Sequence, residues 1–164
     1  MGWPAILLRM ESSLPYSEGD VFGVPLESGD WALGVVSRAA PGGSVLIGHF
    51  FGPRRDALPD LRDLPQLRPE DAVAVERFGD LGLCDGSWPV LGPAQGWRRE
   101  AWPAPAFRRV DVVSGAVRKI VYDDDDPAEV IASERVAADE AEGLPNDGVM
   151  GAIGMSRLVD RRLS

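Results

Sequence analysis

From Asp20 onward the apolar residues fall in short runs separated by turn-forming residues, a pattern that predicts strands. Val21 to Leu26 reads as a strand, Ser28-Gly29-Asp30 as a turn and Trp31 to Arg38 as the returning strand. Pro41-Gly42-Gly43 turns the chain into Ser44 to Phe51, giving a three-strand antiparallel meander. Trp31, Leu33 and Val35 lie on one side of the second strand, Ala32 and Val36 on the other. Apolar residues on both faces need cover on both faces, as in a barrel or a sheet packed under other elements.

Gly52 to Pro69 is a loop rich in Pro, Arg and Asp. Its Leu58, Leu61, Leu64 and Leu67 recur every third residue, as a short helical turn against the sheet requires. Pro59 and Pro65 exclude a long helix there. Asp71 to Phe78 follows as a strand. Leu81 to Cys84 and Ser87 to Leu91 flank Asp85-Gly86, a dipeptide that favours a two-residue hairpin because both positions tolerate positive φ. After a loop from Gly92 to Pro105, Phe107 to Val113 and Val117 to Tyr122 form a further hairpin across Ser114-Gly115-Ala116. Residues 1–18 read as an irregular or short-strand start.

At Asp123 the pattern changes. Asp126 suits a helix N-cap and Pro127 the first helical position, so Ala128 to Glu142 is predicted as a helix stopped by Gly143. A second short helix is predicted over Val149 to Leu163, weakened by Gly151 and Gly154. Its Arg157, Arg161 and Arg162 are placed to pair with the acidic helix. The expectation is one domain over 1–164, with a β scaffold at 15–122 and the two helices at 123–164. The fold class is mainly β (α+β): a strongly curved antiparallel sheet or small barrel with a C-terminal helical appendage.

Composition narrows this picture. The chain has 164 residues, and Gly and Pro make up about a fifth of it, which suits short strands better than a helical bundle. Cys84 is the only cysteine, so neither an intramolecular disulfide nor a Cys-based zinc site is available. Ile6-Leu7-Leu8 is too short for a signal core and no basic stretch precedes it, so a cytoplasmic protein is expected.

Charge is the more informative quantity. The net charge is −9, of which −8 lies between Asp123 and Glu142: nine acids against the single base Arg135. A nearly neutral body thus carries one acidic element, whose field repels nucleic acid and attracts basic partners. Trp97-Arg98-Arg99 and Phe107-Arg108-Arg109 resemble the aromatic–arginine pairs of nucleic-acid-binding barrels, but the sign of the field opposes that function.

Catalytic chemistry finds little footing. His49, the only histidine, sits inside a strand on the face of Val45, Ile47 and Phe51, as a core or barrel-lining residue does. Cys84 reads as a buried, inert thiol. The run Asp123 to Asp126 lacks the alternating oxygen ligands, mid-loop glycine and distal Glu of a calcium loop. No enzyme activity, metal or cofactor is expected. Trp31 and Trp88 are placed in the core; Trp97 and Trp102, in a Pro-rich loop, are expected to be partly exposed and suited to anchoring a partner.

Gly19-Asp20-Val21-Phe22-Gly23-Val24-Pro25-Leu26, followed by Trp31-Ala32-Leu33-Gly34-Val35-Val36, resembles the opening of the immunity protein 26 family of bacterial polymorphic toxin systems. Leu46 to Phe51 and Gly86-Ser87-Trp88-Pro89-Val90-Leu91-Gly92 resemble its later strands, so the likeness spans roughly residues 15 to 110. The resemblance implies a mostly β protein that neutralises a toxin by direct binding. Phe22 and Trp88 become core residues, Gly34 and Gly92 close-packing or turn positions. Expected partner-binding residues are Asp123, Asp124, Asp125, Asp126, Glu129, Glu134 and Asp139, with Trp97 and Trp102 as anchors, facing a basic surface on a toxin effector domain. The alternative is a small barrel that binds a small molecule or nucleic acid around His49 and the nearby tryptophans.

Overall fold

The computed structural model describes residues 14–164; the expected short-strand start therefore lies mostly outside the described residues. Among the described residues, eight strands form two open antiparallel sheets. The first has the order β4-β3-β2-β1-β5, built from β1 (Asp20–Pro25), β2 (Trp31–Ala39), β3 (Val45–Arg55), β4 (Ala74–Gly79) and β5 (Val90–Pro93). The second has the order β6-β7-β8, from β6 (Phe107–Val110), β7 (Val117–Asp123) and β8 (Asp126–Val136). Neither sheet closes on itself or curls strongly, which corrects the expectation of a barrel or strongly curved sheet. The double-sided burial that suggested a barrel is met instead by covering layers.

One face of the first sheet carries Phe22, Val24, Ala32, Val36, Leu46, Phe50 and Phe78, beneath Trp88 and the Met155 and Val159 side chains of helix α2 (Ala152–Arg162). Aromatic contact organises this layer: Phe22 stacks on Trp88 at 5.8 Å and meets Phe50 edge-on at 5.8 Å. Gly34 lies directly over that ring, since a Cβ there would stand 2.3 Å from Phe22 Cζ. The opposite face is covered in two parts. Leu64, Ala94 and Trp102, with Leu58, Leu61 and Leu67, pack on Val21, Leu33, Val35 and Phe51. Phe107, Ile120 and Tyr122 of the second sheet pack on Ile47. The leucines at intervals of three thus do press on the sheet, through a 3-10 turn at Leu61–Asp63.

Two expected elements differ. Leu81 to Cys84 is not a strand: helix α1 spans Leu81–Asp85 and ends at Gly86, with φ at +83°. Gly86 meets the same need for positive φ in a helix cap as it would in a hairpin. Packing chooses the cap: Trp88 donates its backbone N–H to the Gly82 carbonyl at 2.9 Å and its ring lies over Gly82. The segment from Ala128 is not a helix either. Asp124 and Asp125 form the turn between β7 and β8, and Asp126–Val136 pairs antiparallel with β7. A helix would have left β7 with an open edge on that side, and β-branched Val130, Ile131 and Val136 accept the extended backbone. The β scaffold therefore runs to Val136. The C-terminal helix forms over Ala152–Arg162, but its Arg157 pairs with Glu27 at 2.7 Å rather than with the acidic segment.

The second sheet is tied to the first by two buried arginines. Arg77 of β4 donates from Nε to the Pro127 carbonyl at 2.9 Å, and from Nη1 to the Tyr122 hydroxyl at 2.7 Å and Asp147 at 3.2 Å. Its guanidinium lies 3.8 Å from the Tyr122 ring centroid. Arg38 of β2 donates from Nε to Asp124 at 2.8 Å. Asp147 also pairs with Arg109 at 2.6 Å, so loss of Arg77 leaves that carboxylate partnered but strips the Pro127 carbonyl and the Tyr122 hydroxyl of a donor, at a cost of about 1–3 kcal/mol. Arg77→Met is expected to lower the unfolding free energy by about that amount, read from the urea midpoint; a loss no larger than that of an exposed Arg68→Met control would show that Arg77 does not hold the sheets together.

Candidate functional site

The acidic element is a hairpin rather than a helix, and the hairpin sorts its carboxylates into two groups. Asp123, Asp124, Asp125 and Asp126 build the turn. Asp123 accepts the Asp125 N–H at 2.8 Å and Asp126 accepts the Ala128 N–H at 3.0 Å. Asp124 bridges Arg38 at 2.8 Å and Arg99 at 3.0 Å, and Asp125 reaches Arg99 at 3.2 Å. Arg99 in turn binds Glu18 at 2.8 Å. The Arg38 guanidinium holds the Asp124 carboxyl below the usual aspartate range, with help from Arg99. These two aspartates thus serve the attachment of the hairpin to the first sheet.

The remaining acids face water. Glu129 and Glu134 lie on the exposed length of β8, and Asp139 with Glu140 and Glu142 on the turn that follows. None of these five forms an ion pair among the described residues. Glu134 stands opposite Lys119 in the β7–β8 register. The sequence therefore located the charge correctly and assigned it to the wrong backbone.

The expected tryptophan anchors behave differently from each other. Trp97 is partly exposed, whereas Trp102 is buried at 4% exposure, against the expectation. Its ring packs against Trp97 at 5.4 Å, Phe51 at 6.0 Å and His49 at 5.1 Å. The Pro-rich loop that suggested exposure folds back on β3, and the large ring fills the space over His49. That leaves His49 packed beneath the Trp102 ring. Trp88 is buried in the core as expected; Trp31 is only partly so.

His49 is buried at 4% exposure. The Ser37 hydroxyl donates to the Ile47 carbonyl at 3.1 Å, so it accepts from His49 Nδ1 at 3.0 Å and fixes that ring proton. Burial, together with the nearby Arg38 charge, pushes the pKa of His49 down to about 4. Glu76 of β4 is the opposite case, a carboxyl at 5% exposure whose burial raises its pKa to about 7, opposed by the Arg162 charge. It borders two shallow clefts of about 420 and 300 Å³ beside Leu144, Pro145 and Arg162. Cys84 is exposed, not buried as expected, because α1 turns it outward; partial burial and the Asp80 carboxylate raise its pKa above the usual thiol value. No cluster of three or more metal-ligating side chains occurs among the described residues.

Sequence reasoning missed Arg38, Arg77, Asp147 and Glu76. A signal existed: Arg38 and the Glu76-Arg77 pair sit within otherwise apolar strands, where a charge needs a partner.

Fold and surface together define a mainly β protein of two packed antiparallel sheets with one acidic, water-facing hairpin. The scaffold places it more closely. A family model described as Immunity protein 26 matches residues 17–117, more than half of the chain, and the chain belongs to that family. Nothing matches among curated proteins or solved structures. The matched region stops at the first residue of β7, so the acidic hairpin lies beyond it.

Glu76 and His49 act oppositely on stability. The folded state keeps Glu76 protonated, so its contribution is full below pH 4.5 and is lost as pH rises through about 7. The folded state keeps His49 neutral, so its contribution is full above pH 6.5 and is lost as pH falls through about 4. Relative to the unsubstituted chain, Glu76→Gln is expected to gain on the order of 3 kcal/mol as pH rises from 4.5 to 7. His49→Gln is expected to gain a similar amount as pH falls from 6.5 to 4. Urea titrations at a series of pH values test both; parallel curves for variant and parent would refute the burial of the group concerned.

Proposed function

We propose that this chain is an immunity protein that binds and blocks a cognate toxin effector domain, without chemistry of its own. Membership of the immunity protein 26 family is the observation that carries the reading. The surface supplies a means: Glu129 and Glu134 project into water from the hairpin and Asp139 from the turn after it, with Asp123 and Asp126 at the hairpin's own turn. Asp124 and Asp125 add to the field while anchored to arginines, and the partly exposed Trp97 is an available anchor. An acidic element of this kind suits a basic cleft, such as one that a nuclease uses for phosphate, and repels nucleic acid itself. No helix among the described residues is long and apolar enough to cross a membrane. We take the site of action to be the cytoplasm, where a toxin aimed at the cell interior has to be met.

Charge complementarity across such an interface mainly accelerates encounter, and salt screens it. Reversing Glu129, Glu134 and Asp139 together to Lys is expected to slow association with the cognate effector domain by about tenfold or more and to flatten its salt dependence. Stopped-flow association at several ionic strengths reads both quantities. Rates and slopes equal to those of the parent would remove the hairpin from the interface.

A further inference from the structure

The fold treats its sheet edges unequally. An edge strand exposes a row of unpaired N–H and C=O groups, and proteins normally shorten, cover or interrupt it. Here β4 is covered by Met150, which donates to the Arg77 carbonyl at 3.0 Å and accepts the Gly79 N–H at 2.9 Å. β6 is covered by residues 145–147: Arg108 donates to the Pro145 carbonyl at 2.8 Å and accepts the Asp147 N–H at 2.7 Å. β5 is only four residues long and ends in Pro93. β8 is the exception.

β8 has eleven residues, and Ala128 to Arg135 are exposed without interruption, on both faces. Proline occurs only at its second position, Pro127. No backbone group of residues 128–136 bonds to backbone outside the β7–β8 ladder among the described residues; the Ser133 carbonyl takes the Arg118 side chain at 2.9 Å. The register skips Ile131 and, nearer the turn, residues 127–129, and it runs regularly from Ala132 to Val136. Val130 and Ile131 are 44% and 59% exposed, offering apolar contact beside the open backbone.

Building on the immunity reading above, we propose that β8 receives the toxin by strand addition: an extended, lysine- or arginine-bearing segment of the effector domain pairs with the free edge of β8 and enlarges the second sheet. Main-chain hydrogen bonds then supply affinity, and side chains alternating along the added strand supply specificity. Charge decides the occupant. A second copy of this chain would set residues 128–142, five acids against Arg135, beside the same residues, and like charges brought together across a pairing destabilise it. A basic strand instead meets Glu129 and Glu134 along β8 and Asp139, Glu140 and Glu142 at its end.

The test uses the full chain with an inactivated cognate effector domain, present at ~100 times its Kd. Amide hydrogen exchange, followed by NMR, is expected to slow by ~100-fold at alternate positions within 128–136, since exchange then requires release of the partner. Arg108 spends its backbone groups on residues 145–147, so Lys119 and Val121 turn theirs to Glu134 and Ala132, and Ser133 faces the free edge; Ser133→Pro, checked for native β6 and β7 amide signals, is expected to speed dissociation at least tenfold while leaving the salt dependence of association in place. A complex that forms with unchanged exchange over 128–136 overturns strand addition and leaves the immunity reading standing. No complex at all overturns both. Concentration-dependent dimers of the chain alone, with the same amides protected, would show that the occupant is a second copy and overturn the proposal.

Discussion

Two guanidinium groups inside the molecule determine how its halves meet. Arg38 leaves the end of β2 and Arg77 the middle of β4, and both reach across to the β7–β8 hairpin. Each is nearly inaccessible to water, so neither is tolerable unless its donors are met. Asp124, the Pro127 carbonyl, Tyr122 and Asp147 meet them. The small apolar contact of Ile47 with Phe107, Ile120 and Tyr122 supplies area. Area is non-directional, whereas these hydrogen bonds fix the orientation in which the hairpin lies.

That orientation divides the aspartate-rich run. Asp124, itself exposed, pairs with a buried cation and a partly exposed one, and Asp126 holds the backbone of the turn. Beyond Pro127, no charged group of the first sheet pairs with the strand among the described residues, and Glu129 and Glu134 remain in water. One stretch of sequence thus both attaches the second sheet and gives the protein its acidic face. The hairpin lies outside the segment that matches the family, so the scaffold is the shared part and the acidic face belongs to this chain's remaining residues. Such a division suits a protein whose framework is general and whose partner is particular, as the proposed function requires.

Local signals were read well where only one structure satisfied them. The meander from Asp20 to Phe51 follows from alternating apolar runs and Gly-containing turns, and the leucines from 58 to 67 were legible as cover for the sheet. Two signals had two solutions. Asp85-Gly86 serves a hairpin or a helix cap equally, because both place Gly at positive φ. Asp126-Pro127 serves a helix start or a strand leaving a turn, since proline's missing N–H is harmless in either place. Trp102 misled for a related reason: a Pro-rich loop says how the chain bends, not what it bends toward.

The mainly β class, the strand order through Phe51, the aromatic core around Phe22 and Trp88, and the location of the net charge were legible in the residues alone, because each depends on residue type and near neighbours. Only the tertiary structure decided that residues 126–136 are a strand, that the sheets stay open and are covered, and which aspartates face water. Those outcomes depend on contacts between residues far apart in the chain: β7 needed a pairing partner, and Arg38 and Arg77 needed acceptors. Nothing local to 126–136 records either need.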